Sequence, residues 1–156
     1  MVKLNVVLVE PEIPPNTGNI ARLCAATLSR LHLIRPLGFR TDDKSLKRAG
    51  LDYWQHVEVI YHNSLDEFLK AVPENRLILF SKKAKAPYTK APFQQGSYLL
   101  FGKETLGLPD WLIKRFESRC FSIPMWGLTR SLNLSTATGI VVYEAYRQLT
   151  NGFHGL

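Results

Sequence analysis

Cysteine and long apolar runs are scarce in this chain of 156 residues. Its two cysteines, Cys24 and Cys120, are too few for a disulfide scaffold, so we expect two small core residues in a reducing, cytoplasmic environment. No apolar run approaches the roughly 18 residues that span a bilayer. The apolar N-terminus stops at Glu10 and Pro11 without a small-residue cleavage site, which predicts a first strand. These absences predict a soluble protein that does not associate with membranes.

Motifs for several common chemistries are also missing. No Gly-x-Gly-x-x-Gly follows the first predicted strand, which argues against a dinucleotide cofactor. Gly102 and Gly107 have the spacing of a phosphate-binding loop, but Leu108 and Pro109 stand where Lys and Ser or Thr are required. The four histidines lack metal-ligand spacing, and no Gly-x-Ser-x-Gly elbow occurs. We therefore expect no bound metal.

Acidic residues are outnumbered, with 13 Asp and Glu against 20 Lys and Arg, which gives a net charge of +7. The excess is concentrated in three clusters: Arg40, Lys44, Lys47 and Arg48; Lys82, Lys83, Lys85 and Lys90; and Lys114, Arg115 and Arg119. Each cluster alone could be ordinary solvated surface. Together they favour RNA or DNA as a partner, bound with an affinity that falls as salt rises.

Strand and helix patterns alternate along the chain. Continuous apolar runs are typical of strands covered on both faces. They predict strands over residues 4–9, 31–34, 57–61, 77–80, 97–101 and 120–123. The pattern indicates one α/β domain over residues 1–156, with a mainly parallel sheet, helices on both faces and ligands beyond the carboxyl ends of the strands.

Turn-forming residues set the predicted helix boundaries. Three prolines within residues 11–15 predict an extended loop, and residues 16–19 a turn before the first helix. A basic helix is expected to begin after Asp43 and end at Gly50. Further helices are predicted after the capping pair Ser64 and Glu67, and over residues 110–116.

The last predicted helix, over residues 136–149, is apolar nearly all round at residues 140–143. Ser135 is the expected N-cap. One sheet face cannot cover such a helix. Two explanations remain open: a homodimer contact, or a central helix within a monomeric core.

The segment over residues 123–135 joins the last strand to this helix. Pro124 stops the strand, and small polar residues follow. Side chains and free amides therefore converge at a helix start, which suits a binding loop. An ordinary strand-to-helix connection is the alternative.

Three groups of residues that follow predicted strands resemble the motifs of the SPOUT family of S-adenosylmethionine-dependent RNA methyltransferases. They are Asn16 and Arg22; Phe101, Gly102, Glu104 and Gly107; and Ile123, Pro124, Ser131, Asn133 and Ser135. Residues 10–19, 36–39 and 50–53 further resemble the small single-domain members that methylate the wobble nucleotide of tRNA. The resemblance covers nearly the whole chain.

The resemblance implies a SPOUT-type α/β knot, in which the C-terminal segment forms a deep trefoil knot. It implies a homodimer whose active sites lie at the subunit interface. The implied reaction moves a methyl group from S-adenosylmethionine to the ribose 2′-hydroxyl of a wobble cytidine or uridine in tRNA, without a metal. A different tRNA or ribosomal RNA site, and a non-catalytic RNA-binding protein with this fold, are the alternatives.

The resemblance also implies roles for individual residues. The implied catalytic residues are Asn16, Arg22, Glu104, Ser131 and Asn133; those around the cofactor are Phe80, Gly102, Ile123 and Ser131; those on the substrate are Arg22, Arg130 and Tyr143. Gly102 would let the main chain approach the cofactor closely. A guanidinium stays protonated, so we expect Arg22 to stabilise an alkoxide or grip a phosphate rather than act as a base.

Alternatives exist for three of these residues. Arg22 could be an exposed helix charge, Glu104 a surface carboxylate, and Tyr143 a residue that only packs. The chain also departs from the family at Trp126 and Leu128, which are apolar where polar residues usually precede the Arg-Ser pair. The expected pocket requires residues 123–135 to lie next to Gly102.

Overall fold

The computed structural model describes residues 3–154, apart from the side chains of residues 49–52. Six strands form one parallel sheet in the order β3-β2-β1-β5-β4-β6. They are β1 (Asn5–Val9), β2 (Arg30–Ile34), β3 (Val59–His62), β4 (Leu77–Phe80), β5 (Tyr98–Phe101) and β6 (Cys120–Phe121). All six lie at the predicted places, and the α/β class with a parallel sheet is confirmed.

Within residues 3–154, five α-helices connect these strands or follow them. They are α1 (Pro14–Thr27), α2 (Lys44–Trp54), α3 (Leu65–Ala71), α4 (Asp110–Arg115) and α5 (Leu134–Leu149). Among the elements that the structure describes, none has both the length and the apolar character of a membrane-crossing helix.

Neighbouring residues along each strand are buried on opposite faces of the sheet. In β1, Val6 and Leu8 pack with residues of α1 and α5, whereas Val7 and Val9 pack with residues of α3 and α4. Burial on both faces explains why the strands read as continuous apolar runs. The two cysteines are buried in these clusters, Cys24 on the first face and Cys120 on the second.

Helix α1 begins earlier than the sequence predicts. Pro14 and Pro15 occupy its first positions, where a fixed φ suits the helix and a missing amide hydrogen costs nothing. Residues 16–19 are therefore helical, and the predicted turn is wrong. The predicted loop is confined to residues 11–13. Asn16 is buried as a result.

Helix α2 begins where it was expected but ends later. The Asp43 carboxylate accepts a hydrogen bond from the Ser45 amide at 2.7 Å. The helix then continues through Gly50 to Trp54, so the prediction that Gly50 ends it is wrong. A glycine inside a helix costs only about 1 kcal/mol, and α2 packs along α1, a tertiary contact that outweighs this cost.

Helix α5 is capped by Asn133 rather than by Ser135, which corrects the prediction. Oδ1 of Asn133 accepts hydrogen bonds from the amides of Ser135 and Thr136 at 2.9 and 3.3 Å. The helix buries one side, including Val141 and Val142, while Tyr143 on the other side is 49% exposed.

The chain that leaves β6 runs against the connection between β4 and β5. The Ser122 amide donates to the Ala86 carbonyl at 2.9 Å, and the Ser122 carbonyl accepts from the Tyr88 amide at 2.7 Å. Near the end of α5, the Gln148 side chain donates to the Thr89 carbonyl at 2.9 Å. The C-terminal segment is thus anchored to this connection at two separate points.

Candidate active site

A cavity of about 330 Å³ lies beyond the carboxyl ends of β4, β5 and β6 and beside the first turn of α1. Its walls are residues 80–83 after β4, residues 102–108 after β5, residues 131–134 with Ile123 and Met125 after β6, and Ile13 and Asn16. The structure therefore brings the segment after β6 next to Gly102. Phe80, Gly102, Ile123 and Ser131, the cofactor residues that the resemblance implies, all line this one cavity.

Three of the predicted catalytic residues form a single hydrogen-bonded network. The Glu104 carboxylate accepts from the backbone amides of Glu12 and Ile13, both at 2.8 Å, and from Nδ2 of Asn16 at 3.2 Å. Oδ1 of Asn16 accepts from Nδ2 of Asn133 at 3.0 Å. The network ties together the segments that follow β1, β5 and β6.

The side-chain polar atoms of Glu104 and Asn133 are already engaged in hydrogen bonds within the protein. Glu104 satisfies three donors, and Oδ1 of Asn133 caps α5. A carboxylate that accepts several hydrogen bonds has few acceptor positions left for a ligand. Asn16, Glu104 and Asn133 are thus placed to hold the cavity walls in register.

A second carboxylate, that of Glu12, also joins the segment after β1 to the loop after β5. It accepts from the amide and the hydroxyl of Thr105 at 3.0 and 2.7 Å. These hydrogen bonds lower the pKa of Glu12. Nearby, Lys103 Nζ lies 3.4 Å from Oε1 of Glu10. Sequence reasoning did not assign roles to Glu12 and Thr105, although Glu12 lies in the segment that carried the resemblance.

Gly102 is required by a close approach within the protein. A Cβ atom at this position would lie 2.0 Å from the carbonyl carbon of Gly107 and 2.1 Å from the Leu108 nitrogen. Gly107, at φ +70°, turns the loop back onto Gly102, and its amide donates to the Lys103 carbonyl at 2.9 Å. The main chain that approaches Gly102 is therefore that of residues 107–108.

Two cavity residues keep polar groups free for a ligand. Within residues 3–154, the Ser131 hydroxyl makes no hydrogen bond, and Lys82 forms no ion pair with a described side chain. Lys83 also lines the cavity but pairs with Asp110 at 2.5 Å. Sequence reasoning found both lysines as part of a basic cluster and did not place them in the pocket.

The structure does not bring the three predicted substrate residues into the cavity wall. Arg22 is exposed on α1, and its guanidinium carbon lies 5.0 Å from the centroid of the Tyr53 ring. Arg130 is exposed directly before Ser131. The Tyr143 ring lies 6.5 Å from that of Phe153, on the exposed side of α5.

The three basic clusters differ in how their charges are used. In the third, Arg115 pairs with Glu74 at 2.7 Å, and Arg119 donates to the carbonyls of Leu77 and Asn75. In the first, Lys44, Lys47 and Arg48 are exposed on α2. Arg40 of the first cluster pairs with Asp42, and Lys83 of the second pairs with Asp110, so each of these two clusters combines paired cations with cations that have no ion pair among the described side chains. Among the described side chains, no group of three or more His, Cys, Asp or Glu residues is placed to hold a metal ion.

The amino-acid sequence places this chain in a known family of RNA methylases. Residues 3–143 match the model of the SpoU rRNA methylase family, and the chain belongs to this family. The tRNA (cytidine(34)-2′-O)-methyltransferase of Escherichia coli (strain K12) is 50% identical over 147 residues, which cover 94% of each chain.

Solved structures agree with this assignment. One, from work on the 2-OH methylation of C/U34 on tRNA, shares 51% identity and superposes with a TM-score of 0.92 over 96% of this chain and 98% of that one. The SpoU methyltransferase AviRb from Streptomyces viridochromogenes, in complex with AdoMet, is 27% identical. It has a TM-score of 0.82 over 95% of this chain and 58% of its own.

Proposed function

We propose that this chain is an S-adenosylmethionine-dependent tRNA 2′-O-methyltransferase that acts on the wobble cytidine or uridine. The observation that carries the proposal is the Glu104–Asn16–Asn133 network, because it joins the three motif segments around one cavity. The relative from Escherichia coli, similar over almost the whole chain, supports the tRNA position.

The cavity suits S-adenosylmethionine in size and chemistry. Its volume of about 330 Å³ falls in the usual range for small-molecule sites. Phe80, Leu108 and Ile123 offer apolar surface to an adenine ring, and Ser131 offers a free hydroxyl. When bound, the cofactor supplies a methyl group attached to a positively charged sulfur. The complex of AviRb with AdoMet supports the same assignment.

The residues of the chain would act mainly by positioning and by charge. An in-line displacement at a methyl group depends on alignment of the attacking ribose oxygen. Arg22 would hold the adjacent phosphate or stabilise the developing alkoxide, since its guanidinium does not lose its proton. Arg130 and Tyr143 would contact the RNA. Asn16, Glu104 and Asn133 would keep the cavity walls in place.

A homodimer would complete this site. Arg22 lies outside the cavity wall of its own chain, so the Arg22 side chain of a second copy would serve each cavity. Exposed apolar side chains at Leu28, Tyr143 and Phe153 offer a contact surface on and near α1 and α5. Burial of that surface would also explain why α5 is apolar nearly all round.

The same proposal includes the knot, the domain organisation and the cellular site. Hydrogen bonds from Ser122 and Gln148 to the β4–β5 connection support a C-terminal segment threaded as a deep trefoil knot. The single sheet supports one domain over residues 1–156. A tRNA substrate supports a cytoplasmic location.

Methyl transfer to RNA tests the proposal. The protein is incubated with methyl-labelled S-adenosylmethionine and total tRNA, and nuclease digestion then locates the labelled nucleoside. We expect label in 2′-O-methylated cytidine or uridine at the wobble position. Label confined to another tRNA site or to ribosomal RNA would correct the substrate, and RNA binding without any label would overturn the activity.

A further inference from the structure

We propose that Trp126 and Leu128 form a platform at the mouth of the cavity on which unpaired RNA bases stack. This inference rests on the proposed function, because it takes RNA as the substrate. It assigns substrate recognition to the segment where the chain departs from its family, and names unstacked bases beside the methylated nucleotide as the ligand.

The first observation is the exposure of large apolar side chains in the segments that line the cavity or that lie between its lining residues in sequence. Trp126 is 92% exposed, and Leu128 is fully exposed. Both lie between Met125 and Ser131, which line the cavity. Leu106, which is 78% exposed, lines it from the β5 loop. Apolar side chains grouped on the surface in this way mark an interaction site more often than scattered single residues do.

The second observation is the charge around the platform. Residues 81–102 and 120–143 contain no Asp or Glu. Glu104, the acidic residue in the cavity wall, is held by three donors. Lys82 and Arg130 form no ion pairs with described side chains. Two cations without a described carboxylate partner therefore accompany the platform: Lys82 in the cavity wall, and Arg130 two residues after Leu128 in sequence.

An aromatic side chain beside unpaired cations matches the chemistry of single-stranded RNA. Base stacking on aromatic side chains is the usual way in which proteins hold unpaired bases, while Lys and Arg hold the phosphates. A twofold contact between two copies centred on this platform would instead bring Lys82 and Arg130 of both copies together, which like-charge repulsion disfavours. The charge thus favours RNA as the occupant.

Tryptophan fluorescence tests the stacking directly. The chain has three tryptophans, Trp54, Trp111 and Trp126. Trp111 is a matched control because it is also exposed but lies on α4, outside the segment that follows β6. An anticodon stem-loop RNA is titrated into the wild type, W126F and W111F without cofactor. We expect strong quenching in the wild type and W111F, and its loss in W126F.

Affinity and assembly complete the test. W126A should weaken RNA binding by about 5- to 100-fold, the range for loss of one stacked base, whereas W126F and W111A should bind nearly as the wild type does. Unchanged RNA affinity in W126A would overturn the platform. The platform would also be overturned if W126A sedimented as a smaller species while W126F kept the fluorescence quenching. That result would indicate that a second copy covers the platform. Absence of methyl transfer by the wild type would instead count against the proposed function.

Discussion

Nδ2 of Asn133 donates a hydrogen bond to Oδ1 of Asn16 at 3.0 Å, although the two residues are 117 positions apart. Asn133 caps α5, and Asn16 lies in the first turn of α1, where it also donates to Glu104. The Asn16 side chain therefore couples the start of α1 to the cavity walls that follow β5 and β6. Its removal should affect stability and activity together.

N16A tests this coupling. The substitution leaves Nδ2 of Asn133 without its acceptor and removes one donor from Glu104, and each lost partner costs about 1–3 kcal/mol. We expect the free energy of unfolding to fall by at least about 1 kcal/mol in urea denaturation. N19A is the matched control, because Asn19 is exposed on the same helix. Equal stability of the two variants would contradict the coupling.

R22A tests whether Arg22 acts in the reaction. Its contact with Tyr53 is of a type that contributes about 0.5–1 kcal/mol at exposed sites, so the fold should persist. Loss of a group that stabilises charge in a transition state costs about 100-fold or more in kcat. We expect that loss in labelled methyl transfer, with unchanged cofactor affinity. Y53A removes the stacking partner and should keep most activity. Unchanged turnover in R22A would rule out the role.

Mixed dimers show which copy supplies Arg22. Dimers of R22A alone and of G102A alone should transfer methyl groups poorly, but a mixed dimer would hold one cavity with an intact wall and an Arg22 from the other copy. We expect partial recovery of methyl transfer after the two variants are unfolded and refolded together. No recovery would indicate that Arg22 serves its own chain.

Gly102 is the cavity position where an added methyl group should most reduce stability and cofactor affinity. The added Cβ atom would meet backbone atoms of Gly107 and Leu108 at 2.0–2.1 Å, so the loop must move away. Overpacking of this kind costs about 1–3 kcal/mol. We expect G102A to melt at a lower temperature and to bind S-adenosylmethionine at least about tenfold more weakly, equivalent to roughly 1.4 kcal/mol. G127A, where no atom lies within 4 Å of the added carbon, should change neither quantity.

The buried imidazole of His32 should make stability depend on pH. Its Nε2 lies 3.0 Å from Oδ1 of Asn5, and its Nδ1 lies 2.9 Å from Nε2 of His62. Burial, together with the charges of His62 and Arg30, lowers the pKa of His32 to about 4, against a small opposing effect of Glu58. The folded protein therefore resists protonation of His32.

In the unfolded chain, the pKa of histidine is about 6.5. The stability that neutral His32 contributes is thus fully present above about pH 6.5 and falls as the pH drops from there towards about 4, by up to about 3 kcal/mol. Urea denaturation at about pH 7.5 and about pH 5 should show the loss. H32Q should flatten the dependence, and H56N, at an exposed histidine, should retain it. A flat wild-type profile would contradict the assignment.

Local patterns were sufficient to predict the strands and the starts of α2, α3 and α4, but not the starts of α1 and α5. The β4 bounds, Leu77–Phe80, match the prediction because a strand buried on both faces is visible as an apolar run. Pro14 fits a loop and a helix start equally well. Asn133 and Ser135 are both good N-cap residues, and Asn133 also bonds to Asn16, which is distant in sequence.

Some residues of the candidate site could likewise be predicted from local patterns, and others could not. Sequence motifs found Gly102, Ile123 and Ser131, which line the cavity. They did not reveal Lys82 and Lys83 as cavity residues, because their position depends on how the β4–β5 connection folds over the sheet. The role proposed for Arg22 in the reaction depends on the proposed second copy, which no local pattern of one chain can specify.

The central claim is that the cavity beside the Glu104–Asn16–Asn133 network binds S-adenosylmethionine. Isothermal titration calorimetry of the wild-type chain with this compound tests it most directly, because the readout requires neither RNA nor turnover. The account predicts a saturable heat with one binding site per chain, strongly weakened in G102A. No heat with the wild type, together with salt-sensitive RNA binding, would contradict it and identify a non-catalytic RNA-binding protein with the same fold.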